Sequence, residues 1–162
     1  ASCDQEEKFD QVFEWTKKLS DSGDIRAMFT LGVLYCQGKG VAQSKERALK
    51  VWMQAAEKGD AVSSYNVGVT LMKKGDYAGA EKYLMKAFRA GSPNSCLLVG
   101  HMYETGALSA GSEKKNSFKA AACYRLVLES KEADLIPGAL NDFPDHCRSA
   151  EAGLYRLGQP AR

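Results

Sequence analysis

The sequence predicts an all-α protein, an α/α solenoid (superhelix) of about three helical hairpins with a capping helix at each end. Three observations carry the prediction. An apolar–glycine pair recurs at Leu31-Gly32, Val67-Gly68 and Val99-Gly100, a spacing of 32–36 residues that belongs to helical repeats. Downstream of each pair a small residue (Ala48, Ala80, Ala120) precedes a large one by four positions (Trp52, Leu84, Tyr124), which places both on one face of a second helix. Finally, Gly59-Asp60 and Gly91-Ser92 combine a helix-ending glycine with a helix-starting cap, so one hairpin leads directly into the next.

Each element has its own justification. Glu6 to Leu19, within residues 5–22, reads as a lone helix of the second kind that carries Phe9, Phe13 and Trp15. Its acidic net charge suits a solvated end of a solenoid. Residues 25–60, 61–92 and 93–131 form repeats one to three. In each first helix a small residue, the apolar–glycine pair and a further apolar or aromatic residue share one stripe. Glycine inside a helix costs about 1 kcal/mol against Ala, so three matching glycines call for the close approach of a partner helix's backbone. Residues 132–162 hold a breaker, Ile136-Pro137-Gly138. A closing helix follows from Pro144 to Leu157, stopped by Gly158 and Pro160. About eight helices result.

Composition narrows the function classes. The chain has 162 residues, 44% hydrophobic and 26% charged, with a formal charge of +2. That is one domain with an ordinary folded composition, and the charge is too small for electrostatic nucleic-acid binding. No apolar run approaches the roughly 20 residues of a membrane span.

The motif small-x-x-x-Leu-Gly-x-x-Tyr-x-x-Gly-x-Gly-Val over Ala27–Val41, then Arg47-Ala48-x-x-x-Trp52 and Ala55-Ala56-x-x-Gly59, resembles the Sel1-like repeat, a relative of the tetratricopeptide repeat. Residues 27–60 match it well and 95–128 moderately. Residues 61–92 lack the Gly-x-Gly-Val loop, and Lys74-Gly75-Asp76-Tyr77 there resembles a plain tetratricopeptide turn. The resemblance covers roughly residues 5–130. It implies an adaptor or scaffold that holds a protein partner, and many bacterial members are exported, so a periplasmic or exported location is expected. It also implies two narrower roles: an immunity protein that neutralises a secreted toxic enzyme such as a phospholipase, and a β-lactam hydrolase of the cysteine-rich branch.

In superhelices of this kind the first helices line a concave face. Carried over to this chain, that face holds Phe29, Val33 and Cys36, then Tyr65, Val69 and Met72, then Leu97, His101 and Glu104. The set is more apolar than a solvated surface, which marks a partner groove unless tight curvature buries it. Lys73, Lys74, Lys82 and Lys86 add positive charge near repeat two, which favours an acidic partner.

The five cysteines show no zinc-ligand spacing. Most read as small buried hydrophobes. Ala1-Ser2-Cys3 has the form in which a bacterial lipobox ends, so lipidation of Cys3 competes with a Cys3–Cys36 disulfide, which antiparallel packing of the first two helices would permit. In the cysteine-rich branch Cys96 would bridge to the position held here by Phe88, so that staple is missing.

No catalytic set emerges, and no cofactor or metal is expected. His101 and His146 lack an orienting partner in sequence. Ser112-Glu-Lys-Lys115 satisfies Ser-x-x-Lys without its companion motifs and is read as a chance match. Gly38-Lys-Gly40 lacks the ending of a phosphate loop. Glu46, Glu57 and Glu81 are expected on solvated helix faces with neighbours four residues away.

Overall fold

A computed structural model describes residues 3–108 and 113–161, apart from the side chains at 113–115 and 140. Ser112 lies outside the described residues. All regular structure among the described residues is helical: α1 (Cys3–Asp21), α2 (Ile25–Gln37), α3 (Lys45–Glu57), α4 (Ala61–Lys73), α5 (Tyr77–Arg89), α6 (Pro93–Glu104), α7 (Glu113–Glu129), α8 (Pro137–Leu140) and α9 (Phe143–Arg156). A 3₁₀ turn at Glu132–Asp134 precedes α8. The helices pair as the period requires, α2 with α3, α4 with α5 and α6 with α7. Each second helix then packs on the next first helix, and α9 closes on α7 and α6.

The expected count of about eight helices is short by one, for a local reason. Ile136 is extended, with ψ 146°, the conformation favoured before proline. Pro137 itself occupies the first turn of α8, where its missing N–H costs nothing. The breaker therefore also starts a short helix.

Capping sets where the hairpins turn. Asp24, Ser44, Asp60 and Asp76 each accept a hydrogen bond from the backbone N–H three residues on, at 2.8, 3.2, 2.7 and 2.9 Å, satisfying a donor that the helix leaves free. Ser92 instead accepts from the Ser95 hydroxyl at 3.0 Å, with Pro93 in the first turn of α6.

The core runs along the solenoid as three clusters: Phe13 with Leu31 and Leu34, then Ala48, Trp52, Ala56, Val67 and Tyr83, then a larger one around Leu84, Val99, Tyr124 and Leu154. The recurring glycines admit large side chains of the partner helix, rather than its backbone as the sequence reading expects. A Cβ on Gly32 would lie 2.2 Å from the Trp52 indole nitrogen, on Gly68 2.6 Å from Leu84, and on Gly100 2.7 Å from the Tyr124 ring. The small residue in each first helix is thus the seat of the large residue in its second helix.

The C-terminal segment is anchored at Gly91. Its carbonyl accepts from the Ile136 N–H at 3.1 Å. A Cβ there would sit 2.6 Å from the Asp134 carbonyl oxygen. Gly59, in the equivalent turn, has nothing within 4 Å. Both have positive φ, 102° and 93°. Gly59→Ala is therefore expected to cost about 1–2 kcal/mol, the backbone cost alone. Gly91→Ala should cost about 1–3 kcal/mol more as Asp134–Ile136 is pushed away. Parallel chemical denaturation of the two variants checks the difference.

Candidate functional site: the inter-repeat cleft

The concave residues have different fates. Phe29 stacks on Trp52, with ring centroids 6.4 Å apart, and its carbonyl accepts from the indole N–H at 3.1 Å. Val33 and Cys36 lie half-buried against the middle cluster. Tyr65, Val69, Met72 and Leu97 lie half-buried against the C-terminal cluster. Curvature therefore removes part of each side chain from water and leaves the rest open.

Two of these residues line the same cleft. Between repeats one and two, Cys36 and Val69 join Trp52, Asn66 and Thr70 around a cavity of about 440 Å³. Lys45, Lys73 and Lys74 complete the lining, which contains no carboxylate. The shape follows from the repeat: Trp52 of α3 fills the space over Gly32 and also lines the cleft. The Cys36 thiol shows the balance there, since burial pushes its pKa up while the Lys45 ammonium pulls it down.

Tyr65 opens onto a different notch, of about 210 Å³, bounded by Asn94, Ile136, Ala139, Asp142 and His146. Asn94 donates to the Tyr65 hydroxyl at 3.2 Å. Burial lowers the His146 pKa, opposed by Asp142, and its Nδ1 is buried without a hydrogen-bond partner. Residues that the sequence reading assigns to one face thus line two separate spaces, one of them bounded by the C-terminal segment.

Glu104 is tied within the chain: its carboxylate accepts from Arg156 Nε at 2.8 Å and Nη2 at 3.1 Å, and from the Tyr124 hydroxyl at 2.6 Å. The Arg156 bond, opposed by burial and aided by Tyr124, holds its pKa below the ordinary range. Burial, then the Glu104 bond, pushes the Tyr124 phenol up. His101 stands exposed beside this cluster, 4.0 Å from Glu104.

Because folding favours the charged carboxylate, the stabilisation is present above the unfolded pKa of about 4.3. It disappears as pH falls through the folded value. Arg156→Gln should destabilise by no more than about 1 kcal/mol at pH 7, since the guanidinium is half exposed. Thermal melts from pH 7 to pH 3 should show the gap to wild type closing at the acid end.

Glu46 is exposed as expected, whereas Glu57 and Glu81 bond to neighbouring helices rather than to residues four positions away. Glu57 of α3 pairs with Lys86 at 2.7 Å and accepts weakly from Tyr83 at 3.5 Å, both on α5. Glu81 accepts from Tyr103. Together with Tyr124–Glu104 they form tyrosine–carboxylate links along the array. The pairs are 20–26 residues apart, so no local spacing rule reaches them.

Of the two fates that compete for Cys3, the disulfide is not formed: Cys3, exposed at the start of α1, and Cys36, in the cleft, are unbridged. Cys96 does have a sulfur neighbour: it sits buried against Cys123, whose carbonyl accepts from its thiol at 3.4 Å. Among the described residues, no group of three His, Cys, Asp or Glu side chains could hold a metal ion, and no helix is long and apolar enough to cross a membrane.

No family model matches the chain. Among solved structures it is similar to a protective antigen present in uropathogenic Escherichia coli strains and displaying an SLR fold, at 18% identity and a TM-score of 0.56 over 93% of this chain. It is also similar to a Sel1 repeat protein from Oxalobacter formigenes, at 19% identity and a TM-score of 0.59 over 94% of this chain. The chain spans 36% of the first structure and 73% of the second.

Proposed function

Because this chain has the Sel1-like repeat fold, we propose that it is a non-catalytic scaffold that holds a protein partner in the cleft between repeats one and two. One observation carries the reading: a cleft of about 440 Å³ with Trp52 and Val69 in its wall and three lysines around it, unopposed by any lining carboxylate. Apolar surface beside the polar amides and hydroxyls of Asn66 and Thr70 suits a peptide segment. The lysines select an acidic one and speed its encounter. Tyr65, in its separate notch, extends the contact along α4.

Affinity purification of the native protein with mass spectrometry identifies the partner. Val69→Asp should then weaken binding at least tenfold, because a carboxylate among the three lysines offsets their charge and repels an acidic segment. Lys73→Glu combined with Lys74→Glu should weaken it further and flatten its salt dependence. Unchanged recovery of the partner by a folded Val69→Asp protein would overturn the cleft as its site.

A further inference from the structure

The third hairpin carries sulfur where the other two do not. One turn before its glycine, α2 has Met28, α4 has Ser64 and α6 has Cys96. One residue before its large side chain, α3 has Val51, α5 has Tyr83 and α7 has Cys123. Only in α6 and α7 are both positions cysteine, and the packing of the hairpin brings the two together.

The contact is close for a reason written in the sequence. Gly100 of α6 and the buried Ala120 and Ala121 of α7 put small residues where these two helices meet. Cys96 lies one turn before Gly100, and Cys123 directly precedes the Tyr124 ring that Gly100 seats. The Cys96 thiol donates to the Cys123 carbonyl at 3.4 Å and hydrogen-bonds the Cys123 sulfur as well. Both side chains belong to the C-terminal core cluster, 0% and 7% exposed. A disulfide needs its sulfurs about 2.05 Å apart. Thiols that already touch across paired helices reach that spacing by side-chain rotation rather than by repacking.

The two thiols are not equivalent. The bond from Cys96 lowers the Cys123 pKa, opposed by burial and the Glu81 carboxylate and aided by the Lys119 ammonium. The same bond, then burial, pushes Cys96 up. Cys123 is therefore the first of the pair to lose its proton, and the thiolate is the attacking form in thiol–disulfide exchange.

We propose that Cys96 and Cys123 are an oxidisable pair that closes into a disulfide between α6 and α7, with a small-molecule or protein disulfide as the oxidant. The Cys123 thiolate attacks one sulfur of the oxidant, forming a mixed disulfide and expelling the other sulfur as a thiolate. Cys96 then gives up its proton and attacks the Cys123 sulfur, releasing the second thiolate. Two protein thiols are oxidised and one disulfide is reduced. The bridge joins residues 27 apart and stabilises the fold by restricting the unfolded chain. It differs from the staple of the cysteine-rich branch, which would tie α5 to α6 and meets Phe88 here. Because Cys123 is buried, the oxidant reaches it when the hairpin opens locally, so closure should be slower than modification of the exposed Cys3.

Incubation of the folded wild-type protein with excess glutathione disulfide tests the proposal, followed by alkylation in denaturant and tryptic mapping. The expected product is a peptide of residues 90–114 linked to residues 120–125, formed while circular dichroism stays native. The melting temperature should rise by roughly 5–10 °C on oxidation, and Cys96→Ala should lose that rise. Both cysteines recovered alkylated, or glutathione held on Cys123 without the link, would overturn the proposal. A link that forms only in urea, or one that lowers the melting temperature, would overturn it too. If Cys96→Ala does not fold, the wild-type mapping and melts decide by themselves.

Discussion

Tyr124→Ala is expected to lower the stability by about 3–5 kcal/mol, as removal of a large buried aromatic side chain does. The ring is 2% exposed and lies between two helices that carry glycine where they meet it. A Cβ on Gly100 of α6 would come within 2.7 Å of the ring, and one on Gly153 of α9 within 2.5 Å. With both walls built from backbone, neither can offer a side chain to refill the space, so the cavity persists. In a protein of this size the melting temperature should fall on the order of 10 °C. Tyr124→Phe separates the ring from its hydroxyl. It loses only the hydrogen bond to Glu104, which Arg156 still pairs, and should cost about 1 kcal/mol. Urea titration of wild type and both variants checks the order.

Gly32→Val tests the same device from the other side. Its Cβ would enter the Trp52 indole at 2.2 Å, so the ring must leave its seat and abandon the bond from its N–H to the Phe29 carbonyl. Overpacking costs about 1–3 kcal/mol, and the lost indole hydrogen bond adds about 1 kcal/mol. A total of about 2–4 kcal/mol is expected from chemical denaturation. Red-shifted Trp52 emission in a Trp15→Phe background should accompany it. Trp52 also lines the cleft, so partner binding should fall together with stability.

These two variants show why the fold was readable. Glycine and a large residue must meet once per repeat, so the requirement is written three times, at Gly32/Trp52, Gly68/Leu84 and Gly100/Tyr124. Gly153 makes the same kind of contact once, outside the period, and its only trace in the sequence is a glycine in the middle of a helical pattern. The candidate site was partly readable. Positions on the first helices could be assigned to one face, and Cys36 and Val69 do share a cleft. Periodicity says which face a residue occupies but not what reaches it from elsewhere in the chain. Arg156 claims Glu104 from 52 residues away, and Ile136, bonded to Gly91, bounds the notch at Tyr65.

The sequence by itself determined the class of fold and the register of the hairpins, because each is a local rule repeated along the chain. Only the tertiary structure decided which apolar residues stay open. Val12 and Leu19 occupy the same register positions as Ala48 and Ala55, yet they meet water where the alanines meet α2. Exposure depends on whether a neighbouring helix is there to exclude the solvent, and that is a property of the assembled array rather than of any position in it.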